Sequence, residues 1–419
     1  MNPLLNPFSP GAGNPPPELA GRSELLSQAK IMLERVKHGR FEQSLMLVGL
    51  RGVGKTVLLN RIRDMAEADG YGTVMVEATE STPLPELLVF GLRGLLIRLD
   101  AMEGLSAKAK LALRALRSFI GALRLKLGGV EIGLDIDPEK GLADSGDLET
   151  DLADLLAALG EAAADRKTAV AILIDEIQYL HEAEMSALIR AVHRLSQRQL
   201  PLVFVAAGLP QLVGLAGRSK SYAERLFRYP EVGPLAEPDA VAALRDPALK
   251  GGAAFTEDAL KEIVLQTRGY PYFLQEWGYQ AWNLAQGPTI DKAVVLRATE
   301  ASIKKLDQSF FRVRFDRLTP REKDYLRALA DLGPGAHRSG KIAQRLGIKV
   351  QTVAPLRSGL IRSSVRLSGL MEQTWPRNSY TIICWCLPND FSRTTALSGD
   401  TPENLDQWMI PLRSSQSSG

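Results

Sequence analysis

Eight consecutive residues, Gly49-Leu50-Arg51-Gly52-Val53-Gly54-Lys55-Thr56, have the spacing GxxxxGK[ST]. Glycines let a backbone curl until its N–H groups face an anion at a helix N-terminus. Lys55 would then reach the β- and γ-phosphates of a nucleotide, and the Thr56 hydroxyl would hold Mg²⁺. Gly49, Gly52, Val53, Gly54 and Val57 complete the nucleotide-binding set. At a distance of 120 residues from Lys55, the run Ile172-Leu173-Ile174-Asp175-Glu176 ends in two adjacent acids. Asp175 suits the metal, and Glu176 suits a base or a group that orients water. Asp also favours helix N-caps, so the catalytic reading rests on placement at the end of a second buried strand. Gln178 stands near enough to assist, although a surface glutamine on the next helix reads equally simply.

These residues need a scaffold, and the flanking patterns supply one. Ser23 to Arg40 has helical spacing and Ser44 to Val48 reads as a short buried strand. A helix from Lys55 to about Ala68, a Gly70/Gly72 turn and a strand Thr73 to Val76 follow, which is the beginning of a βαβ unit. Pro83 to Leu127 is helical in pattern, with a basic stretch from Lys108 to Lys126 read as a solvated face, and Val130 to Ile136 alternates like a small strand. Residues from about 100 to 147 therefore read as an insertion. Leu148 to Ala164 is amphipathic, Ala169 to Ile174 and Leu202 to Ala207 are almost wholly apolar, and Ala183 to Gln199 is helical between them. Continuous apolar runs belong to strands buried on both faces of a parallel sheet. A further short strand is expected near Tyr229 to Val232. The reading is an α/β unit over 18–236 and an all-helical unit over 237–317, preceded by an extended leader, 1–17, with six prolines.

Charge singles out the next segment. The chain of 419 residues carries a net +3, yet Ala301 to Leu370 holds 15 Lys/Arg against 5 Asp/Glu. Such a patch fits a polyanion partner, and a solvated charged face is the alternative. Thr319-Pro320-Arg321-Glu322 has the order of a capped helix start. Ser339 to Val350 reads as a helix and a glycine turn, with a second helix running to about Gly359, and Ile342, Ala343, Leu346, Ile348, Val353 and Leu356 as core. Lys341, Lys349, Gln351, Thr352 and Arg357 are the candidates for double-stranded DNA. A helix-turn-helix face over 318–362 can also dock protein.

Beyond Ser363 the composition breaks. Its 57 residues hold no lysine, one alanine, ten serines, three of the five tryptophans and both cysteines, Cys384 and Cys386. Residues 363–419 fit either a poorly ordered tail or a shifted reading frame. Two cysteines are too few for a disulfide framework, which points to a reducing compartment. No run reaches the ~20 apolar residues that span a bilayer, and Met1 to Pro17 has no signal-peptide pattern. The expected location is the cytoplasm, with no membrane partner. His38, His181, His193 and His337 form no metal-ligand spacing.

Taken together, the motifs resemble the AAA+ and STAND class of P-loop ATPases, and more narrowly a group of bacterial and archaeal ATPases related to origin-recognition initiators, with a C-terminal winged helix. That resemblance implies strand order 5-1-4-3-2, a helical lid, and ATP with Mg²⁺ as ligands. Leu19-Ala20-Gly21-Arg22-Ser23-Glu24 is similar to the segment that covers adenine in those families, with Ser23 where an acid often stands; it brings Arg22 into the nucleotide set. Ser221 to Phe227 falls where an arginine finger is expected, which would make Arg225 catalytic across a homo-oligomer interface. Gly269-Tyr270-Pro271 resembles the GxP motif that replaces a second-sensor arginine, with Pro271 against the base. Ala207-Gly208 carries no polar sensor. The implied protein is a slow ATPase, a nucleotide-controlled switch coupled to DNA. A non-hydrolysing ATP-binding scaffold that docks a protein partner, and a helper ATPase of a mobile element or restriction system, are the alternatives.

Overall fold

A computed structural model describes residues 1–11, 19–102, 106–125, 136–308, 315–316, 318–332 and 337–362. From the N-terminus, α1 (Ser23–Lys37), β1 (Ser44–Val48), α2 (Lys55–Ala68) and β2 (Gly72–Glu77) are followed by α3 (Leu84–Ala101), α4 (Ala107–Ala122), α5 (Leu148–Asp165) and β3 (Val170–Asp175). Then come α6 (Glu182–Gln197), β4 (Leu202–Gly208), α7 (Gln211–Ser219), α8 (Ala223–Leu226) and β5 (Phe227–Arg228). The five strands form one parallel sheet in the order β2-β3-β4-β1-β5. This is the 5-1-4-3-2 arrangement read from its other edge.

The continuous apolar strands are explained by two cores. Leu45, Leu47, Ala171, Leu173, Val203, Val205 and Ala207 pack on one side with α1, α2 and the helical unit. Met46, Val48, Val170, Ile172, Ile174, Leu202, Phe204 and Ala206 pack on the other with α3 to α6. Successive residues of a strand point to opposite faces, so only a sheet covered on both sides makes every position apolar. Buried side chains of this kind contribute about 1.5–3 kcal/mol each, and the same strands hold the loops of the site at their C-terminal ends. The small strand expected over Val130 to Ile136 lies almost wholly outside the described residues, as do the tail 363–419 and any wing it holds.

The following unit comprises α9 (Glu237–Lys250), β6 (Ala254–Phe255), α10 (Glu257–Thr267), α11 (Pro271–Leu284), β7 (Thr289–Ile290) and α12 (Lys292–Leu306). It is not purely helical: β6 and β7 pair in parallel over two residues each, too short to leave a periodic signal.

The described part of the leader is also corrected, because residues 1–11 pack against this unit. Phe8 is buried, edge-to-face with Phe255 at 6.2 Å between centroids. It lies over Gly278, where a Cβ would come within 2.6 Å of the Phe8 ring. Asn6 Nδ2 donates to the Tyr279 carbonyl at 3.0 Å and to Asn283 Oδ1 at 2.9 Å, and the Trp282 indole donates to the Asn2 carbonyl at 3.0 Å. Truncating a buried phenylalanine costs about 3–5 kcal/mol. Phe8→Ala is therefore expected to lower the urea midpoint without changing the slope of the transition, whereas an unpacked leader would leave the midpoint where it is.

Three helices, Pro320–Asp331, Ser339–Leu346 and Val350–Arg362, close the described chain. Thr319 and Glu322 form the expected reciprocal cap, with Thr319 N–H donating to Glu322 Oε2 at 2.9 Å. Gly347, at φ +65°, turns the second helix into the third. Leu326, Leu329, Ile342, Ala343, Val353 and Leu360 join the core that continues into the α9–α12 unit. Ile348, expected in that core, is 36% exposed instead, because it leaves the turn after the helical register has ended.

Candidate functional site

The loop after β1 is held at both ends. Gly49 N–H donates to the Gly208 carbonyl at 3.1 Å, and a Cβ at Gly49 would stand 2.2 Å from the Val232 carbonyl oxygen. Glycine alone fits there. Gly52 and Gly54 take left-handed φ of +84° and +92°, which glycine adopts without steric cost. The chain then enters α2 at Lys55, so the first N–H groups of that helix, including those of Thr56 and Val57, open towards the loop. Val53 is buried beneath it.

Lys55 is buried, and its Nζ donates to the Leu50 carbonyl at 2.9 Å inside the loop. Burial lowers its pKa; the charges of Glu176 and Asp175 oppose that shift, and Arg51 adds to it. Thr56 Oγ1 donates to Asp175 Oδ2 at 2.7 Å, joining the start of α2 to the end of β3. Asp175 is itself buried, and its Oδ1 accepts the Glu176 N–H at 2.8 Å. A hydroxyl and a carboxylate, both hard oxygen donors, fit a divalent cation that arrives with phosphates.

Glu176 turns the chain with φ +50°, in the left-handed region. Its Oε2 accepts the Gln178 side-chain amide, and Gln178 Oε1 accepts the Leu209 N–H at 3.0 Å. Arg51 Nη2 donates to the Tyr179 hydroxyl at 2.8 Å, so the phosphate loop and the acidic turn are also directly joined.

Two sequence-distant segments close over the loop. Arg22 Nη2 donates to the Val53 carbonyl at 3.3 Å and also bonds the Gly233 carbonyl. Burial lowers the Arg22 pKa, with Asp239 opposing. Gly269, at φ +73°, would carry a Cβ 2.2 Å from the Leu235 carbonyl oxygen, and Leu235 N–H donates to the Gly269 carbonyl at 2.8 Å. That turn sets Pro271 at the start of α11, and the next N–H, from Tyr272, donates to the Gly52 carbonyl at 3.2 Å.

The structure thus gathers Gly49, Gly52, Val53, Gly54, Lys55, Thr56, Val57, Asp175, Glu176, Arg22 and the Pro271 turn. Arg225 is exposed on α8 and forms no ion pair among the described residues with Glu224, Glu231 or this cluster. Lys341, Gln351 and Thr352 are exposed on the last two helices and Lys349 in the turn between them, while Arg357 is half-buried near Tyr325. Arg51, Tyr179 and Tyr272 were not singled out by sequence, because their parts are played by an ordinary surface type or by a backbone group.

A parallel sheet in this order, with the glycine loop after β1 and the Asp-Glu pair after β3, is the fold of the P-loop NTPases. Residues 18–205 match the family model described as an AAA ATPase domain, and residues 308–365 match one described as a domain of unknown function (DUF8462). An uncharacterised HTH-type transcriptional regulator of Methanocaldococcus jannaschii is 25% identical over 343 residues, 79% of this chain and 80% of that protein. Among solved structures, the Walker-type ATPase of Pyrococcus abyssi shares the fold at 17% identity, with a TM-score of 0.51, over 90% of this chain and 99% of that one. The Orc1 protein of Aeropyrum pernix, solved in complex with DNA, is matched at 15% identity and a TM-score of 0.45, over 84% of this chain and 85% of that one.

Proposed function

We propose that this protein is a slow, Mg²⁺-dependent ATPase whose nucleotide state acts as a switch coupled to double-stranded DNA. The observation that carries the reading is the Thr56–Asp175 hydrogen bond beside Glu176, with Lys55 buried in the glycine loop. Lys55 would neutralise the terminal phosphates, and Glu176 would orient the attacking water and take its proton. Mg²⁺, held by Thr56 and Asp175, would supply charge neutralisation on the phosphoryl oxygens. Arg22 and Pro271 would line the base side. Arg225, exposed on α8, would reach the γ-phosphate of a neighbouring copy in a homo-oligomer. The protein would work in the cytoplasm, where both ATP and DNA are at hand.

Coupling has a physical route. Tyr272 touches the phosphate loop through its backbone, and the core of the α9–α12 unit runs on into residues 320–362. The likeness to a protein named as an HTH-type transcriptional regulator supports DNA as the partner. Steady-state hydrolysis with and without duplex DNA at fixed low salt tests the reading: stimulation is expected, and absence of turnover in both conditions would overturn it. Lys349→Ala and Lys341→Ala are each expected to reduce the slope of log binding constant against log salt by about 1; unchanged slopes would remove these lysines from the DNA contact. One observation favours protein docking as a second reading: Val350 and Ile348, both apolar, are 53% and 36% exposed beside the same lysines.

A further inference from the structure

We infer that Gln178 is the positioning residue for Glu176, tying its carboxylate to the backbone at the end of β4. The inference rests on the hydrolytic reading above. A glutamine amide has one acceptor end and one donor end, and a carboxylate can only accept. Leu209 N–H, 3.0 Å from Oε1, decides which end of Gln178 faces the strand. The NH₂ end must then face Glu176, where it donates to Oε2. A flipped amide would set donor against donor at Leu209 and acceptor against acceptor at Glu176, so the orientation is held from both sides.

The strand end is shaped for this link. A Cβ at Gly208 would stand 2.9 Å from Gln178 Oε1 and 3.0 Å from Ile177 Cγ2, so a side chain at position 208 would press on the amide. The Gly208 carbonyl meanwhile accepts the Gly49 N–H that begins the phosphate loop. One strand end thus registers both the loop and, through Gln178, the carboxylate. Arg51 and Tyr179 tie the same turn to the loop from its other side. Glu176 sits in the left-handed backbone region, a strained conformation for an L-residue that persists only where surroundings enforce it. With Oε2 held by the amide, Oε1 is the oxygen left to orient water. Misplacing a reacting group by 1 Å can cost on the order of 100-fold in rate.

The test is a kinetic double-mutant cycle on the full chain. Gln178→Ala is expected to lower kcat by about 10-fold or more, with KM for ATP within about twofold. Gln178→Glu keeps the size and the acceptor for Leu209 but loses the donor to Glu176, so it should lose kcat as well; a role in packing alone would leave it near wild type. Adding Gln178→Ala to Glu176→Gln should change kcat little, because the amide acts only through that carboxylate. Wild-type kcat in Gln178→Ala, or full additivity in the double variant, would overturn the inference. A wild-type protein that binds ATP without turnover would defeat the hydrolytic reading separately. The link itself is then read from hydrogen exchange at the Leu209 amide: faster exchange in Gln178→Ala but not in Glu176→Gln supports it, and equal exchange in all three removes it.

Discussion

Replacing Lys55 by alanine is expected to weaken ATP binding by about 100-fold or more, the equivalent of about 3 kcal/mol. The ammonium is buried at the start of α2 and donates a hydrogen bond to the Leu50 carbonyl of its own loop. Triphosphate oxygens would offer it opposite charge in the same low-dielectric pocket, an attraction that the neutral carbonyl does not supply. The alanine variant loses that attraction and leaves the phosphates facing only the loop N–H groups. Titration calorimetry with ATP and Mg²⁺ measures the loss directly. A thermal melt close to that of the wild type would show that the loop still folds, and retained affinity in a folded variant would overturn the assignment of this site.

Glu176→Gln is expected to separate binding from chemistry. The side chain keeps its size, so affinity for ATP should stay within a few-fold, but an amide cannot take a proton from water. General-base groups typically contribute about 10²–10⁴-fold, and hydrolysis should fall by at least the lower figure. Single-turnover measurement with saturating enzyme reads the chemical step without interference from product release. Its Gln178 partner donates to the carboxylate in the wild type, so the new amide must turn its own carbonyl towards Gln178 to keep the contact. Unchanged turnover would take Glu176 out of the mechanism and transfer the role of water-orienting group elsewhere.

The parts of this protein that could be read without coordinates are those whose signal is contiguous. Gly49 to Thr56 and Ile172 to Glu176 are unbroken strings in which residue type and chemistry coincide, and the apolar runs Ser44 to Val48, Ala169 to Ile174 and Leu202 to Ala207 are continuous because each strand serves two cores. The Thr319–Glu322 cap is legible for the same reason, four residues of chain holding both partners. Strand order came from family resemblance, since nothing in a strand's own composition states its neighbours. Where partners lie far apart in sequence, or where one partner is a backbone group that every residue carries, only folding reveals them.

Phe8 meets Gly278 and Phe255 across roughly 250 residues or more, so proline content alone made its segment look like an unpacked leader. Arg22 on the Val53 carbonyl, Tyr272 N–H on the Gly52 carbonyl and Leu209 N–H on Gln178 each pair a position with a peptide group, and peptide groups have no sequence signature. Sequence by itself determined that a phosphate loop, an acidic strand end and a basic helical unit exist in this chain. Tertiary structure decided what holds Glu176 in place, because the sheet brings the ends of β1, β3 and β4 to one edge, and what closes over the loop, because Arg22 and the turn before α11 are folded onto it from distant parts of the chain.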